Sequence, residues 1–325
     1  MSTGRSAKTG RTARPGGEGE GRRGRPAARM RGAVCIAAAA TVAALAGCGG
    51  DGAAPATFNV AAAGDIAECF GGPAAGSGAA KTAALVRSDD AFVLTLGDNA
   101  YQNGTPEEFA NCFHPTWGTF KERIRPGIGN HDTYTENSEG YYGYFGAQAG
   151  SDRRGYYSFD YNGWHFIMIN SLLDDLSPES AQYKWLVADL ERSRGALCTV
   201  AFWHYPYFNS GEKYGGYWPI KAFFQALYNG GVEILLSGHD HLYERFAPQT
   251  ADGVADPARG VRQFVVGTGG GALNKFGTAA PNSEVRVESV WGILRLTLGE
   301  GSYSWQFVPV GGGAALDSGR DVCHR

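Results

Sequence analysis

Short apolar runs that stop abruptly at polar residues constrain the fold of this chain more than any other feature. FNVAAAGD (58–65) and FVLTLGDN (92–99) both end a hydrophobic run at Gly-Asp. TVAFWH (199–204) ends at a histidine, and VEILLSGHDH (232–241) ends at two. Between these strand-like runs lie stretches of helical composition: GAAKTAALVRS, SPESAQYKWLVADLERS and WPIKAFFQALYNGG. A helix is expected from Ser177 as N-cap with Pro178 at the next position, and TPEEFANCF starts another, with Thr105 as N-cap, Pro106 following and Glu108 closing a capping box. YYSFDYNGWHFIMINS reads as a hairpin turning at Asn162-Gly163. Alternation of strand and helix followed by β-hairpins predicts an α/β sandwich in one domain, over residues 57–310, with 311–325 as a C-terminal tail.

The N-terminal residues belong to a different class. Residues 1–32 are rich in Arg and Gly, a composition that does not fold by itself. The apolar run AVCIAAAATVAALAG (33–47) is too short to span a bilayer and suits a signal-peptide core, so 1–47 reads as a targeting segment. With Met30 as the translation start, that segment has ordinary proportions. Leu45-Ala46-Gly47-Cys48 resembles a bacterial lipobox, which implies a lipid anchor on Cys48; a plain secretory signal is the alternative. Residues 48–56 follow as a flexible tether. Nine of the 29 basic and two of the 32 acidic residues fall within 1–47, so the rest of the chain carries about −10. An acidic body argues against a nucleic-acid-binding surface. Export permits disulfides. Cys69, Cys112, Cys198 and Cys323 allow three pairings, of which Cys69–Cys112 and Cys198–Cys323 are favoured.

Chemistry-bearing residues gather where the strands stop: Asp65, Asp98, the Asn130-His131-Asp132 triplet, His204, His239 and His241. In open α/β folds ligands bind beyond the carboxyl ends of strands, so these positions should share one rim. His239 and His241 are two apart, which puts both rings on the same side of an extended segment. Carboxylates, an amide oxygen and imidazoles together suit zinc and other transition metals, and they are numerous enough for two ions.

The ordered blocks Gly64-Asp65, Gly97-Asp98, Gly129-Asn130-His131-Asp132, His204 and Gly238-His239-Asp240-His241 resemble the signature of calcineurin-like metallophosphoesterases. GDNAY, with Tyr101 three residues after Asp98, is similar to the purple acid phosphatase branch, as are HDHLYER and YYSFDY. The resemblance implies a four-layer α/β/β/α sandwich with a single catalytic domain. It also implies two ions sharing Asp98: Fe(III) held by Asp65, Asp98, Tyr101 and His241, and Fe, Zn or Mn held by Asp98, Asn130, His204 and His239. The implied reaction is hydrolysis of small phosphate esters by a metal-held hydroxide, with His131 as proton donor to the leaving oxygen and Asp132 orienting its ring. Two positions depart from the pattern: Ala67 stands where the wider family has a histidine, and Val200 lies four residues before His204 rather than three. The alternatives are a phosphodiesterase or nucleotidase on the same fold, or a non-catalytic metal-binding surface lipoprotein.

Other polar residues have plainer readings. His165 belongs to a sheet, His114 to a loop near the rim, and Asp240 should turn away from its flanking histidines. Glu244 and Arg245 read as a local ion pair or helix cap. GTGGG (267–271) reads as a tight turn near the site. Tyr134, Tyr141, Tyr142, Tyr205, Tyr207, Tyr214 and Trp218 are divided between packing and a substrate wall.

Overall fold

The computed structural model describes residues 56–69 and 74–324. The expected targeting segment, Cys48 and the tether up to residue 55 lie outside the described residues. β1 (Phe58–Ala63) and β2 (Asp90–Leu96) are the two Gly-Asp runs, joined through α1 (Gly78–Ala83). β1 and β2 pair in parallel, and β3 (Ile124–Gly127) continues the parallel set. Pro126 within IRPG hides this strand in the sequence, and it sits at the sheet edge, where a missing N–H is tolerated. α2 (Pro106–Glu108) has the expected Thr105 capping box, and a π-turn over Phe109–Phe113 extends it.

The second half follows α3 (Glu139–Phe145) with the hairpin β4 (Tyr157–Tyr161) and β5 (Trp164–Met168). Next come α4 (Ala181–Arg192), β6 (Cys198–Phe202), α5 (Lys221–Asn229), β7 (Ile234–Ser237), β8 (Tyr243–Phe246) and β9 (Arg262–Val266). β10 (Ser283–Val287), β11 (Gly292–Gly299), β12 (Ser302–Pro309) and β13 (Asp317–Val322) close the chain. One sheet has the order β13-β12-β11-β1-β2-β3 and the other β10-β8-β9-β7-β6-β5-β4. Side chains of both, among them Val60, Leu94, Val200, Phe202, Ile234 and Leu236, meet in one dry core between the sheets. Outside the second sheet, Leu186 and Leu190 of α4 and Phe223, Phe224 and Leu227 of α5 pack on Ala201, Trp203 and Leu235. The expected α/β/β/α layering is therefore present.

Three expectations need correction. Residues 311–325 are not a tail beyond the domain: β13 is an edge strand paired along β12, and its Asp317 accepts from Arg245, Tyr243 and Trp305. DSGRDV carries no apolar periodicity because one edge-strand face is open to water. The N-cap of α4 is Ser180, which accepts from Tyr183 N at 3.2 Å; Ser177 accepts instead from Glu179 N in the preceding turn. Glu244 and Arg245 do not pair with each other, because consecutive strand residues face opposite sides of the sheet. Glu244 accepts from Ser210 and Ser283, while Arg245 reaches Asp317 and Glu284.

Cys69 is bonded to Cys112 and Cys198 to Cys323, as favoured from the sequence. The second bond spans 125 residues and ties the last strand to β6. Closing a loop of that length restricts the unfolded chain strongly, so Cys323→Ser should lower unfolding free energy by about 2–5 kcal/mol. Urea denaturation of the oxidised proteins measures this; equal midpoints would show that the bond adds nothing.

Candidate metal centre

The ends of β1, β2, β6 and β7 deliver their polar residues to one place, and the backbone there is held in costly conformations. Asp65, Asp98 and His239 all adopt positive φ, at 61°, 49° and 72°. Side chains other than glycine rarely take this region, and such residues concentrate at functional sites. Surrounding hydrogen bonds hold the turns: Asp65 N donates to Gly97 O at 3.0 Å, and His239 N donates to Asp65 Oδ2 at 2.8 Å. Gly97, with φ +89°, packs directly under the His204 ring, where a Cβ would collide. The GTGGG segment is the expected turn, and at Gly267 a Cβ would lie 2.8 Å from Asp65 Oδ2.

All seven expected metal-site residues lie in one neighbourhood. Tyr101 Oη lies 3.0 Å from Asp65 Oδ1, 3.1 Å from Asp98 Oδ2 and 3.1 Å from His241 Nε2. On the other side of Asp98, His204 Nε2 is 3.4 Å from Asp98 Oδ2 and 3.0 Å from Asn130 Oδ1. Ligand atoms of Asp98, His204 and His239 fall within 4.8 Å of one another. The arrangement thus has two halves that share Asp98 Oδ2.

The proton count shows what such a cluster can hold. His204 Nδ1 faces Leu96 O at 2.8 Å and His241 Nδ1 faces Ala272 O at 2.5 Å. A carbonyl oxygen only accepts, so both Nδ1 atoms carry a hydrogen and both Nε2 atoms face inward. The Asn130 amide donates through Nδ2 to Tyr134 Oη, which turns its oxygen inward as well. Two carboxylates, a phenol, an amide oxygen and two imidazole nitrogens therefore meet across about 3 Å, and a cation that displaces the Nε2 protons would find every one of these atoms turned toward it. Neighbouring ligands on an ion at about 2.0–2.2 Å have this spacing, and the mixed N/O set suits a transition metal or zinc. The donor set fits two cations.

The electrostatics agree. Burial pushes the Asp98 carboxyl up, but His204 and His131 outweigh burial and hold it well below the ordinary range. Burial lowers His204, yet the Asp98 and Asp65 carboxylates lift it to about 9; His241 is lifted to about 8, chiefly by Asp65, against the same burial. Burial and then His204 press His239 down to about 3. Tyr101 is pushed well above the usual phenol value, first by burial and then by Asp65 and Asp98. The pocket is negative and calls for positive charge.

His131 stands beside the cluster. Its Nδ1 faces Gln102 O at 2.6 Å, which leaves Nε2 toward the site, 3.9 Å from Asp98 Oδ2. Asp132 does not orient this ring, contrary to the expectation from sequence. Its carboxylate accepts from Asn99 N at 3.0 Å, Asn99 Nδ2 at 2.8 Å and Gly129 N at 2.9 Å. A 3-10 turn over His131–Thr133 sends the two consecutive side chains in different directions. Burial, followed by the Asp98 charge, raises Asp132 to about 7. Asp132 fastens the β2 and β3 loops together.

Gln102 O and Ala272 O, the carbonyls that set two of the rings, carry no signal in a sequence because any residue supplies them. Asp240 does turn away from its neighbours, to Asn209 Nδ2 at 2.7 Å and Asn274 Nδ2 at 2.8 Å. His165 is the expected sheet residue, set between Asp160 and Asp189. His114 pairs with Tyr144 Oη at 2.9 Å. The aromatics divide: Tyr141 and Tyr207 are buried packing, whereas Tyr134, Tyr205 and Tyr214 lie against His131, His204 and His239.

Residues 58–243 match the calcineurin-like phosphoesterase family, a span that contains all five signature blocks. The chain belongs to that family. Among curated proteins it is similar to purple acid phosphatase 22 of Arabidopsis thaliana, 36% identical over 161 residues, covering 46% of this chain and 36% of the relative. It is also similar to purple acid phosphatase 15 of the same plant, 29% identical over 225 residues, covering 57% and 41%. The chain thus spans well under half the length of these relatives. Among solved structures, the purple acid phosphatase PPD1 of yellow lupin shares the fold, with TM-score 0.66 and 18% identity over 83% of this chain and 55% of that one. This calcineurin-like phosphoesterase resembles the purple acid phosphatases in particular.

Proposed function

We propose that this chain hydrolyses small phosphate esters at a pair of metal ions. Asp65, Asp98, Tyr101 and His241 would hold the first, expected to be Fe(III), and Asp98, Asn130, His204 and His239 the second, expected to be Fe, Zn or Mn. The inward-facing ligand atoms on both sides of Asp98 Oδ2 carry this reading. When bound, such ions provide nucleophilic water near neutral pH and neutralise phosphoryl charge. The chain's own residues do the rest. Gln102 O fixes the His131 ring so that Nε2 can hold a proton toward the leaving oxygen. Tyr134 keeps the Asn130 amide in place, and Leu96 O and Ala272 O fix the tautomers of His204 and His241.

The test is the purified chain lacking its first 48 residues, with metal content, colour and hydrolysis of a chromogenic monoester and diester measured together. Two metals, a violet band and monoester hydrolysis are expected. Bound metal without hydrolysis of either ester would overturn the reading. Tyr101→Phe should abolish the violet band, because no phenolate is left to bind Fe(III); absorption spectroscopy checks this, and an unchanged band excludes Tyr101 as a ligand. Chelation should lower the melting temperature, and restored metal should raise it, because ligand at a thousandfold above its Kd stabilises by about 4 kcal/mol. A melting curve indifferent to chelator would contradict the site.

From the targeting segment and the lipobox-like Leu45-Ala46-Gly47-Cys48 we infer that the protein lies outside the cytoplasm, anchored through Cys48. The two disulfides support an oxidising compartment. The mass of the mature N-terminus from its host tests it: an acylated Cys48 is expected, and an intact residue 1 would refute it.

A further inference from the structure

Among the described residues, several large apolar side chains are exposed, and two of them rest directly on the metal centre. Tyr134, 57% exposed, lies with its ring centroid 4.9 Å from that of His131. Tyr214, 42% exposed, lies 4.2 Å from His239. Between them stands Tyr205, whose ring is 4.4 Å from His239 and 4.7 Å from Tyr217. The Tyr205 ring also lies 5.4 Å from that of His204, so three phenol rings stand against His131, His204 and His239. Lys213 Nζ lies 4.6 Å over the Tyr214 ring and His239 also packs against it, so Tyr134 offers the most open face.

None of these rings closes the apolar core, and a water-facing aromatic surface at the mouth of a polar site is a binding surface. We propose that Tyr134, Tyr205 and Tyr214 form an aromatic collar that selects phosphomonoesters carrying a planar aromatic group close to the ester oxygen. With His131 serving the leaving oxygen as proposed, the Tyr134 ring tilted against it would lie beside whatever that oxygen carries. A nucleobase and a simple arene present the same flat face. Stacking on a tyrosine is sequence-tolerant and is worth roughly five- to a hundredfold in affinity. This inference rests on the phosphate-ester reading above.

The test uses the full chain, metal-loaded, and two matched pairs of substrates. Adenosine 5′-monophosphate and ribose 5-phosphate lose the same primary alcohol and differ by the base. Benzyl phosphate and propyl phosphate differ by the ring. The collar predicts kcat/KM at least fivefold higher for the aromatic member of one or both pairs; which pair responds separates nucleotide from arene substrates. Tyr134→Ala should collapse that ratio toward one, and Tyr134→Phe, which keeps the ring and loses the hydrogen bond to Asn130, should preserve it. Any common loss from disturbing Asn130 cancels in the ratio. Saturation-transfer NMR gives a readout independent of turnover: protein-to-ligand transfer should be strongest at adenine H2 and H8. Hydrolysis of all four compounds with ratios near one, or a ratio that survives in Tyr134→Ala, overturns the collar alone. Inactivity toward all four overturns the collar and the phosphate-ester reading together.

Discussion

Asp98→Asn should leave a folded protein that binds one metal ion or none and has lost at least about 10³-fold in turnover. The two oxygens of Asp98 have different duties. Oδ1 accepts from His131 N at 2.8 Å, a bond an amide oxygen can still accept. Oδ2 faces Tyr101 at 3.1 Å and His204 at 3.4 Å, and an NH2 group there has no lone pair for a cation. Asparagine relieves repulsion with Asp65 but also removes the carboxylate that lifts His204, so some metal-free stability should be lost while the fold is kept. Elemental analysis and circular dichroism on the same sample separate these effects. Two ions and normal turnover in the variant would mean that Asp98 is not shared between two sites.

His131→Ala should keep both metals and lose about 10²–10⁴-fold in kcat for alkyl phosphates, the usual contribution of a general acid. The loss should be much smaller for 4-nitrophenyl phosphate, because nitrophenolate leaves without a proton. A merely structural role would lower both substrates alike. Removing this ring loses the 3.9 Å approach of Nε2 to Asp98 Oδ2 but keeps the hydrogen bond to Asp98 Oδ1, which the backbone N–H of residue 131 donates. Steady-state kinetics on the two substrate types checks this; equal losses, or none, would remove His131 from proton transfer.

The strand-end residues were legible in the sequence because each sits at a break between an apolar run and a polar turn. A buried strand can announce its own end. Two histidines spaced by one residue after VEILLSG, and Gly-Asp repeated after two such runs, therefore mark the candidate site in the sequence. Legibility failed where direction depends on a local turn or on distant partners. His131 and Asp132 look like a catalytic pair when written side by side, yet the 3-10 turn separates them and Asp132 serves Asn99 instead. Glu244 and Arg245 look like an ion pair for the same reason and are separated by strand alternation. β13 is hidden because a polar edge strand has no hydrophobic rhythm, and Ser177 reads as a cap because it has the same capping chemistry as Ser180, three residues on.

The central claim is that side chains from distant segments meet around two cations bridged by Asp98. Anomalous diffraction from crystals of the metal-loaded protein tests it most directly. The account predicts two anomalous peaks about 3–4 Å apart, as in other two-metal sites, one against Tyr101, Asp65 and His241 and the other against Asn130, His204 and His239, with Asp98 touching both. A single peak, or peaks away from these residues in an active crystal, would contradict it.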